Sequence, residues 1–342
     1  MPQTYSAAGV DIQAADDLIR RIKGPARSTF STGVLRDIGL FGGFFDARFR
    51  DYKSPVLVSS IDGVGTKLRV AFLMEKHDTV GQDLVNHCVN DIAVGGATPL
   101  FFMDYFAAGK LKPIVAEQVI GGIIKACKEN GCSLIGGETA EMPGFYCEDE
   151  YDLAGAIVGV VEKTKIIDGK KIRPGDILIA LPSTGLHTNG YSLVRAVLFD
   201  RHEVDDIIDE LGMRLGDVLL AIHRSYLKPI AALRDDPRVH GFAHITGGGI
   251  VGNTARLLSR GLGLAIEWGK WKRPAIFQLI QNEGNVPEED MRRTCNLGVG
   301  LVIVAAEDAA DSIIAKLSRL REHSFVIGEV IAHKGGRGTS KR

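Results

Sequence analysis

The stretch P-V-L-V-S-S-I-D-G-V-G-T-K-L-R-V-A, residues 55–71, decides how the rest of the chain is read. It opens as a strand. Val56, Leu57, Val58 and Ile61 favour a pleated, half-buried surface, and Pro55 fits a first strand position, where its missing N–H costs no ladder bond. Asp62-Gly63-Val64-Gly65-Thr66-Lys67 then breaks the apolar run with an acid, two glycines, a hydroxyl and a cation. Gly63 and Gly65 let backbone N–H groups approach a ligand closely. Asp62, Thr66 and Lys67 supply the hard oxygen, the hydroxyl and the positive charge that a magnesium polyphosphate needs. No G-x-x-x-x-G-K-[ST] occurs, so this is not a Walker A loop. From these residues alone, a hairpin turn with polar residues reads equally well.

The neighbouring stretches tip the balance. A helix starting near Asp78 carries Val80, Leu84, Val85, Cys88, Val89 and Ile92 as its apolar stripe. Another face has Asp83, Asn86 or His87, Asn90 and Asp91. These acids have no lysine at i,i+4, and Asp91 stands late in the helix, where an acid opposes the macrodipole. An acid so placed calls for a cation. Pro99–Ala108 is a strand apolar on both faces, which needs cover on both sides, and a second subunit is one source of it. Pro113–Asn130 is an amphipathic helix ended by Gly131. Cys132–Ile135 reads as a short buried strand emptying into Gly136-Gly137-Glu138. Two strand ends with glycine and a carboxylate, together with Asp91, then converge on one metal–phosphate site. Mg²⁺ takes only one or two carboxylates directly, so three acids predict more than one ion.

Upstream, Asp11–Lys23 reads as a helix with Asp11 as N-cap and Gly24-Pro25 as its stop; Lys23 complements the dipole at the C-terminal end. Residues 27–54, rich in Gly and Phe, predict a loop folded over apolar surface. Downstream, Tyr151–Val161 is a strand, and the polar segment 163–176 marks a domain boundary, giving domains 1–168 and 169–342. Strand Ile177–Leu181 enters P-S-T-G-L-H-T-N-G, residues 182–190, ahead of a helix Tyr191–Phe199. A further helix is predicted over Leu215–Leu233. Gly247, Gly249 and Gly252 match G-x-G-x-x-G, but residues 238–243 before them make a weak strand, so a dinucleotide fold is set aside. What remains is a glycine-rich run at the N-terminus of a helix over Thr254–Ser259, suited to a phosphate.

The composition fits this picture. The chain has 342 residues, enough for two cores, and its net charge of -1 gives no field toward nucleic acid or a membrane. The five cysteines include no C-x-x-C pair, which predicts a reducing, cytoplasmic setting without disulfides or a zinc knuckle. The N-terminus lacks a cationic region followed by an apolar core, so no signal peptide is expected. The longest apolar runs, Leu153–Val161 and Leu297–Ala306, are about half a membrane span. The basic tail His333–Arg342 reads as a frayed terminus.

Five motifs in order, D-G-V-G-T-K (62–67), H-D-T-V-G-Q-D-L-V-N-H-C-V-N-D (77–91), G-G-E-T-A-E-M-P-G (136–144), H-T-N-G-Y-S-L-V-R (187–195) and H-I-T-G-G-G (244–249), resemble the phosphoribosylformylglycinamidine cyclo-ligase, or AIR synthetase, family of purine biosynthesis. R-I-K-G (21–24) and R-T-C-N-L-G-V-G (293–300) fit as well. The resemblance implies an α/β fold of the α+β type. Each of two domains would be a mixed sheet with helices on one side, and the N-terminal sheets of two subunits would form a barrel in a homodimer. It implies a cytoplasmic ligase with no nucleic-acid or membrane partner. With ATP and Mg²⁺ such an enzyme closes formylglycinamidine ribonucleotide (FGAM) into 5-aminoimidazole ribonucleotide (AIR), releasing ADP and phosphate.

Carried over by motif, Asp62, Asp91 and Glu138 would hold the metal and ATP; Gly63, Gly65, Thr66, Lys67, Gly136 and Gly137 would line the phosphates; Lys23 would reach the nucleotide. Thr246, Gly247, Gly248 and Gly249 would take the substrate's 5′-phosphate. His187 and Asn189 would face the formylglycinamidine group, with His187, Lys67 and Asp91 as the catalytic set. Some positions depart from the family's habit: Ser60-Ile61 where G-T is frequent, Gly252-Asn253-Thr254-Ala255-Arg256 where E-N-x-P-R is, and Ile222-His223 where Pro-Thr is. Rival readings are a sister activity such as selenophosphate synthetase or thiamine-phosphate kinase, a nicotinamide oxidoreductase, and a silent ATP-binding partner. A selenide-using enzyme calls for a reactive cysteine near the N-terminus, whereas the first here is Cys88, inside a helix stripe.

Overall fold

The computed structural model describes residues 11–333, so nearly all of the basic tail lies outside the described residues. The chain separates into two compact units. One runs to Ile92 and resumes over Thr98–Lys163; the other takes Ala93–Ala97 and the described chain from Thr164 on.

The first unit contains α1 (Ile12–Arg27), β1 (Pro55–Gly63), α2 (Leu68–Leu73), α3 (Val80–Ala93), β2 (Thr98–Ala108), α4 (Pro113–Asn130), β3 (Ser133–Glu141) and β4 (Tyr151–Glu162). Asp11 caps α1 by accepting from Ala14 N at 3.2 Å. The helix does not stop at Lys23. It passes through Gly24-Pro25 to Arg27, because Ala26 is fully buried and Ser28 N and Thr29 Oγ1 bond the last carbonyls at 3.1 and 2.7 Å. Pro113 opens α4 and Gly131, at φ 66°, closes it in the left-handed conformation that glycine adopts freely. A short helix, α2, follows the Asp62–Lys67 turn where a hairpin was one reading.

The four strands form a mixed sheet in the order β1-β4-β2-β3, with β2 and β3 parallel. Gly136, Gly137 and Glu138 do not lie beyond the strand as expected. They are inside β3, where pairing with Met103, Asp104 and Tyr105 supplies ladder bonds that override the weak β-propensity of glycine. Alternation sorts the sheet's faces. Phe102, Phe106, Leu153 and Ile157 are buried on the helix-facing side, where Leu84 of α3 reaches Gly155; a Cβ at Gly155 would lie 2.2 Å from Phe102 and 2.9 Å from Leu84. On the other side Leu57, Ile61, Met103 and Tyr105 are exposed at 61, 73, 36 and 39 %. The 27–54 loop covers a corner of that side through Phe45, whose ring is tilted 42° to Phe101 at 5.2 Å, while Phe41 and Phe44 stay exposed.

The second unit contains β5 (Ile177–Pro182), α5 (Tyr191–Leu198), a small hairpin of β6 (Ile207–Ile208) and β7 (Met213–Arg214), α6 (Leu215–Leu219), α7 (Leu227–Leu233), β8 (Val239–His244), α8 (Gly249–Thr254), β9 (Leu262–Ile266), α9 (Ala275–Glu283), α10 (Glu288–Thr294), β10 (Val299–Ala305), α11 (Ala310–Arg319) and β11 (Phe325–Ala332). Its main sheet, β8-β10-β5-β11-β9, is antiparallel at every pairing rather than mixed. It is also covered on both faces rather than one. Ile179, Leu181, Leu301 and Ile303 pack with Ile230, Leu233, Ile313 and Leu317, while Leu178, Ala180, Val302 and Val304 pack with Ile250, Leu258 and Ile172. Two-sided burial is why Leu297–Ala306 reads as an unbroken apolar run. The expected helix 215–233 is two helices, α6 and α7, separated by a turn. Pro229 has no N–H to continue a helix from 225, but it fits the first turn of α7, where that N–H would be unbonded anyway.

Asp104 lies on the helix-facing side of β2, in register with Gly155 and Gly137. Part of the residue reaches the surface, yet loss of water around the carboxyl pushes it up from 3.8 to about 7. Between those values the folded chain keeps a proton that the unfolded chain has lost, so stability falls as pH rises through that window. Asp104→Asn is expected to flatten that fall, read by urea unfolding at about pH 5 and about pH 7.5. Equal slopes for the two proteins would show that Asp104 does not carry it.

Candidate active site

In the first unit the chemistry gathers where β1 ends. Asp62 is the penultimate residue of β1, and its Oδ1 accepts from Gly63 N at 3.2 Å. The chain then turns through Gly65, at φ 65°, into a 3₁₀ turn leading to α2, which leaves Gly65 and Thr66 exposed. Against this turn lies α3, whose Asp83, His87 and Asp91 repeat at i,i+4 and so share a face. His87 Nε2 is 3.0 Å from Asp62 Oδ2 and 3.9 Å from Asp91 Oδ2. Burial pulls His87 down, but the hydrogen bond it donates to Asp62 and the charges of Asp62, Asp91 and Asp83 outweigh it, and the ring is held above its ordinary value. Ser60 Oγ donates to Asp91 Oδ2 at 3.2 Å. The cation that Asp91 calls for is thus supplied within the fold by His87.

Lys67 differs from the expectation. It is fully buried, and its ammonium pairs with the equally buried Asp83 at 2.8 Å. It sits beneath the turn and does not face outward with Gly65 and Thr66. Lys23 is half-buried on α1 and paired with Asp37 at 3.2 Å. Glu138 is not brought to Asp62 and Asp91. It shares a row with Tyr105, Ala154 and Gly63 across the sheet, so β1 and β3 are opposite edges, three strand spacings or roughly 14 Å apart. Asp62 and Asp91 together offer the one or two carboxylates that Mg²⁺ takes directly; both side chains are about a third exposed, at 34 and 31 %, and converge on the same imidazole. The pair fits a magnesium ion in charge and donor type.

In the second unit two strand-end loops meet. His187 lies in the loop after β5, held at φ 62°, and its Nε2 accepts from Thr184 N at 3.2 Å. Accepting at Nε2 puts the proton of the neutral ring on Nδ1, so His187 is built as an Nδ1–H donor. Tyr226, which donates to Pro182 O at 2.8 Å, closes in beside it. A Cβ at Gly300 would lie 1.8 Å from Tyr226 Oη and 2.8 Å from His187 Cε1, so glycine alone fits there. Thr246–Gly249 follows β8, turning through Gly248 at φ 101° into α8, and β8 is itself a well-formed buried strand, stronger than its sequence promised. A Cβ on Gly247 would sit 3.1 Å from Asn189 Oδ1, so Asn189, expected beside His187 at the formylglycinamidine group, lies against the glycine run. Helix α8 begins inside that run, earlier than predicted, because buried Asn253 donates to the carbonyls of Thr246, Gly247 and Gly249 at 3.2, 3.3 and 2.8 Å. Asn296 does the same for the other loop, donating to Gly185 O at 2.8 Å and accepting from Gly298 N at 2.9 Å. Since β8 pairs antiparallel with β10, the glycine run is not in a Rossmann βαβ unit, and the oxidoreductase reading falls.

Residues 46–161 match the AIR synthase related protein, N-terminal domain, and residues 173–341 its C-terminal domain. The chain belongs to the AIR synthase related family. Within that family it is 52 % identical, over 97 % of its length and 98 % of the relative's, to a phosphoribosylformylglycinamidine cyclo-ligase of Thermoanaerobacter sp. (strain X514). Its fold is shared by the thiamine-monophosphate kinase of Stenotrophomonas maltophilia K279a (TM-score 0.68, 15 % identity, 97 % of each chain). It is shared too by the hydrogenase maturation protein HypE in complex with ATP (TM-score 0.63, 17 % identity, 95 % of this chain and 89 % of that one). Burial pushes the Cys88 thiol up, which leaves it unreactive and removes the one cysteine weighed for selenide chemistry.

Replacing Lys67 by Met removes the cation facing the buried Asp83 carboxylate and is expected to cost about 3–5 kcal/mol in denaturant unfolding. Lys67→Met combined with Asp83→Leu should recover much of that loss. A double variant as unstable as the single one would mean that the pair does not act as a unit.

Proposed function

We propose that this chain is the cyclo-ligase that converts FGAM and ATP into AIR, ADP and phosphate in purine biosynthesis. The observation that carries the reading is the 52 % identity to a cyclo-ligase over nearly the whole of both chains. The fold-level likeness to the kinase, at 15 % identity, carries no activity.

The chemistry divides between the units, taken here as domains 1–168 and 169–342. An amide oxygen is a poor leaving group, so it must first accept the γ-phosphoryl group of ATP. The amidine nitrogen then attacks the activated carbon, the ring closes, and phosphate departs with the oxygen and a proton is lost. Asp62 and Asp91 hold Mg²⁺, which offsets charge on the transferring phosphoryl group when bound. The exposed Gly65 and Thr66, with Gly63, line the phosphates; Lys23 reaches the nucleotide once it leaves Asp37. Lys67 acts one step back, fixing the turn through Asp83. Thr246–Gly249 takes the substrate phosphate on backbone N–H groups, Asn189 flanks it, and His187 donates from Nδ1 to the formylglycinamidine end.

Glu138, with Gly136 and Gly137, belongs to the ATP site only if a second copy joins the first. The uncovered apolar side at Leu57, Ile61, Met103 and Tyr105 is the surface for that homodimer. Two such sheets closing into a barrel would bring edge β3 of one copy beside edge β1 of the other. The five unpaired thiols suit a cytoplasmic setting, and no helix among the described residues is long and apolar enough to cross a membrane.

The test supplies FGAM and Mg-ATP and measures a diazotisable aminoimidazole against ADP. One ADP per aminoimidazole is expected, and Asp91→Ala should cut turnover by roughly 100-fold or more while the fold persists. ATP binding without product would refute the cyclo-ligase reading; full turnover by Asp91→Ala would refute the metal site.

A further inference from the structure

His223 has no part in the reading above, yet it lies at the centre of the second unit's site. It occupies the segment between α6 and α7 and is fully buried. Its ring stacks on His187, with centroids 4.0 Å apart and planes at 16°. Its Nε2 is 2.9 Å from Nε2 of His244, the last residue of β8, and its Nδ1 is 3.4 Å from Thr188 Oγ1. The carbonyl of its neighbour Ile222 accepts from Thr184 Oγ1, and Thr184 N is the donor that fixes His187 Nε2. His223 therefore touches both loops of the proposed substrate site.

Three imidazoles whose nitrogens lie within 4.8 Å have the donor set of a zinc centre. The geometry speaks against one. Lone pairs on two parallel rings stacked at 4.0 Å run side by side and do not converge on one ion. The 2.9 Å contact between Nε2 atoms is a hydrogen-bond distance, with one proton between the two rings.

We infer that His223 is a positioning residue, which locks the ring planes of His187 and His244 and couples the tautomer of His244 to the Thr188 hydroxyl. A neutral imidazole carries one N–H. If Thr188 donates to His223 Nδ1, His223 must donate from Nε2, and His244 then keeps its proton on Nδ1. If His223 donates to Thr188 instead, His244 donates from Nε2. Intermediate arrangements leave two protons or none in the 2.9 Å gap. The inference rests on the substrate-site reading for its catalytic consequence, though not for the coupling itself.

Imidazole ¹⁵N spectra of the full chain test it, comparing the wild type with His223→Leu, which keeps bulk without hydrogen bonds, and with His223→Gln, which keeps a donor and an acceptor. In the wild type His244 should show one tautomer. In His223→Leu its two nitrogen shifts should change, with kcat lower on the order of tenfold, the scale lost when an orienting partner is removed, and KM for ATP unchanged. His223→Gln should restore the single tautomer and much of kcat, and it serves as the test variant if His223→Leu does not fold. Unchanged His244 shifts in folded His223→Leu would overturn the inference. So would one equivalent of Zn²⁺ bound tightly by the wild type and lost in His223→Leu, which would make the cluster a metal centre. Tautomer coupling in a wild type that makes no aminoimidazole would uphold the positioning role and refute the cyclo-ligase reading alone.

Discussion

The first unit depends on charge contacts that tie the Asp62–Lys67 turn to α3. Lys67 and Asp83 are both fully buried and 2.8 Å apart, and His87 bonds Asp62 at 3.0 Å one helical turn further on. Burying an ion pair gains little net stability, because desolvation of both groups offsets their attraction. What it supplies is register. A turn anchored at Lys67 from below and at Asp62 from the side leaves only Gly65 and Thr66 outward. The same helix carries Asp91 to the other side of His87, so one i,i+4 stripe both fixes the turn and completes the acid pair. His87, held above its ordinary value by these acids, lies between the two carboxylates, whose repulsion a divalent cation would offset more strongly.

The second unit solves the same problem with neutral groups. Its two strand-end loops are pinned by the buried amides of Asn253 and Asn296, each spanning several backbone positions. A buried amide that satisfies carbonyls left over by a tight turn removes their desolvation cost and holds the loop open for a ligand. In both units, then, a strand delivers a polar loop at its end, and side chains from elsewhere in the same unit set that loop's shape.

Much of this was legible in the sequence, for identifiable reasons. Helix α4 was bounded by Pro113 and Gly131, residues whose backbone chemistry leaves few alternatives. The loops at 62–67, 182–190 and 244–249 stood out as glycine and polar residues after apolar runs. His87 was visible as a member of a helix face, and its i,i+4 spacing to Asp91 was the signal that puts it beside that acid. Glu138 was misread because glycine weakens a strand locally, whereas the parallel ladder to β2 is a tertiary fact. Lys67 misled for a similar reason: a lysine beside glycines suits a phosphate, and only the packing of α3 shows its ammonium spent on Asp83. The clamps Asn253 and Asn296 bond to backbone, which sequence pattern does not record.

The central claim is that Asp62 and Asp91 share one ATP site with Glu138 although a single chain holds Glu138 at the far edge of the sheet. Subunit complementation tests it most directly. Asp62→Asn and Glu138→Gln, each inactive alone, are mixed and allowed to exchange subunits. A site built across two copies predicts that mixed dimers carry one intact site each, so activity returns to about a quarter of the wild type, as random pairing of subunits requires. A mixture that stays inactive after exchange has been demonstrated would contradict the account.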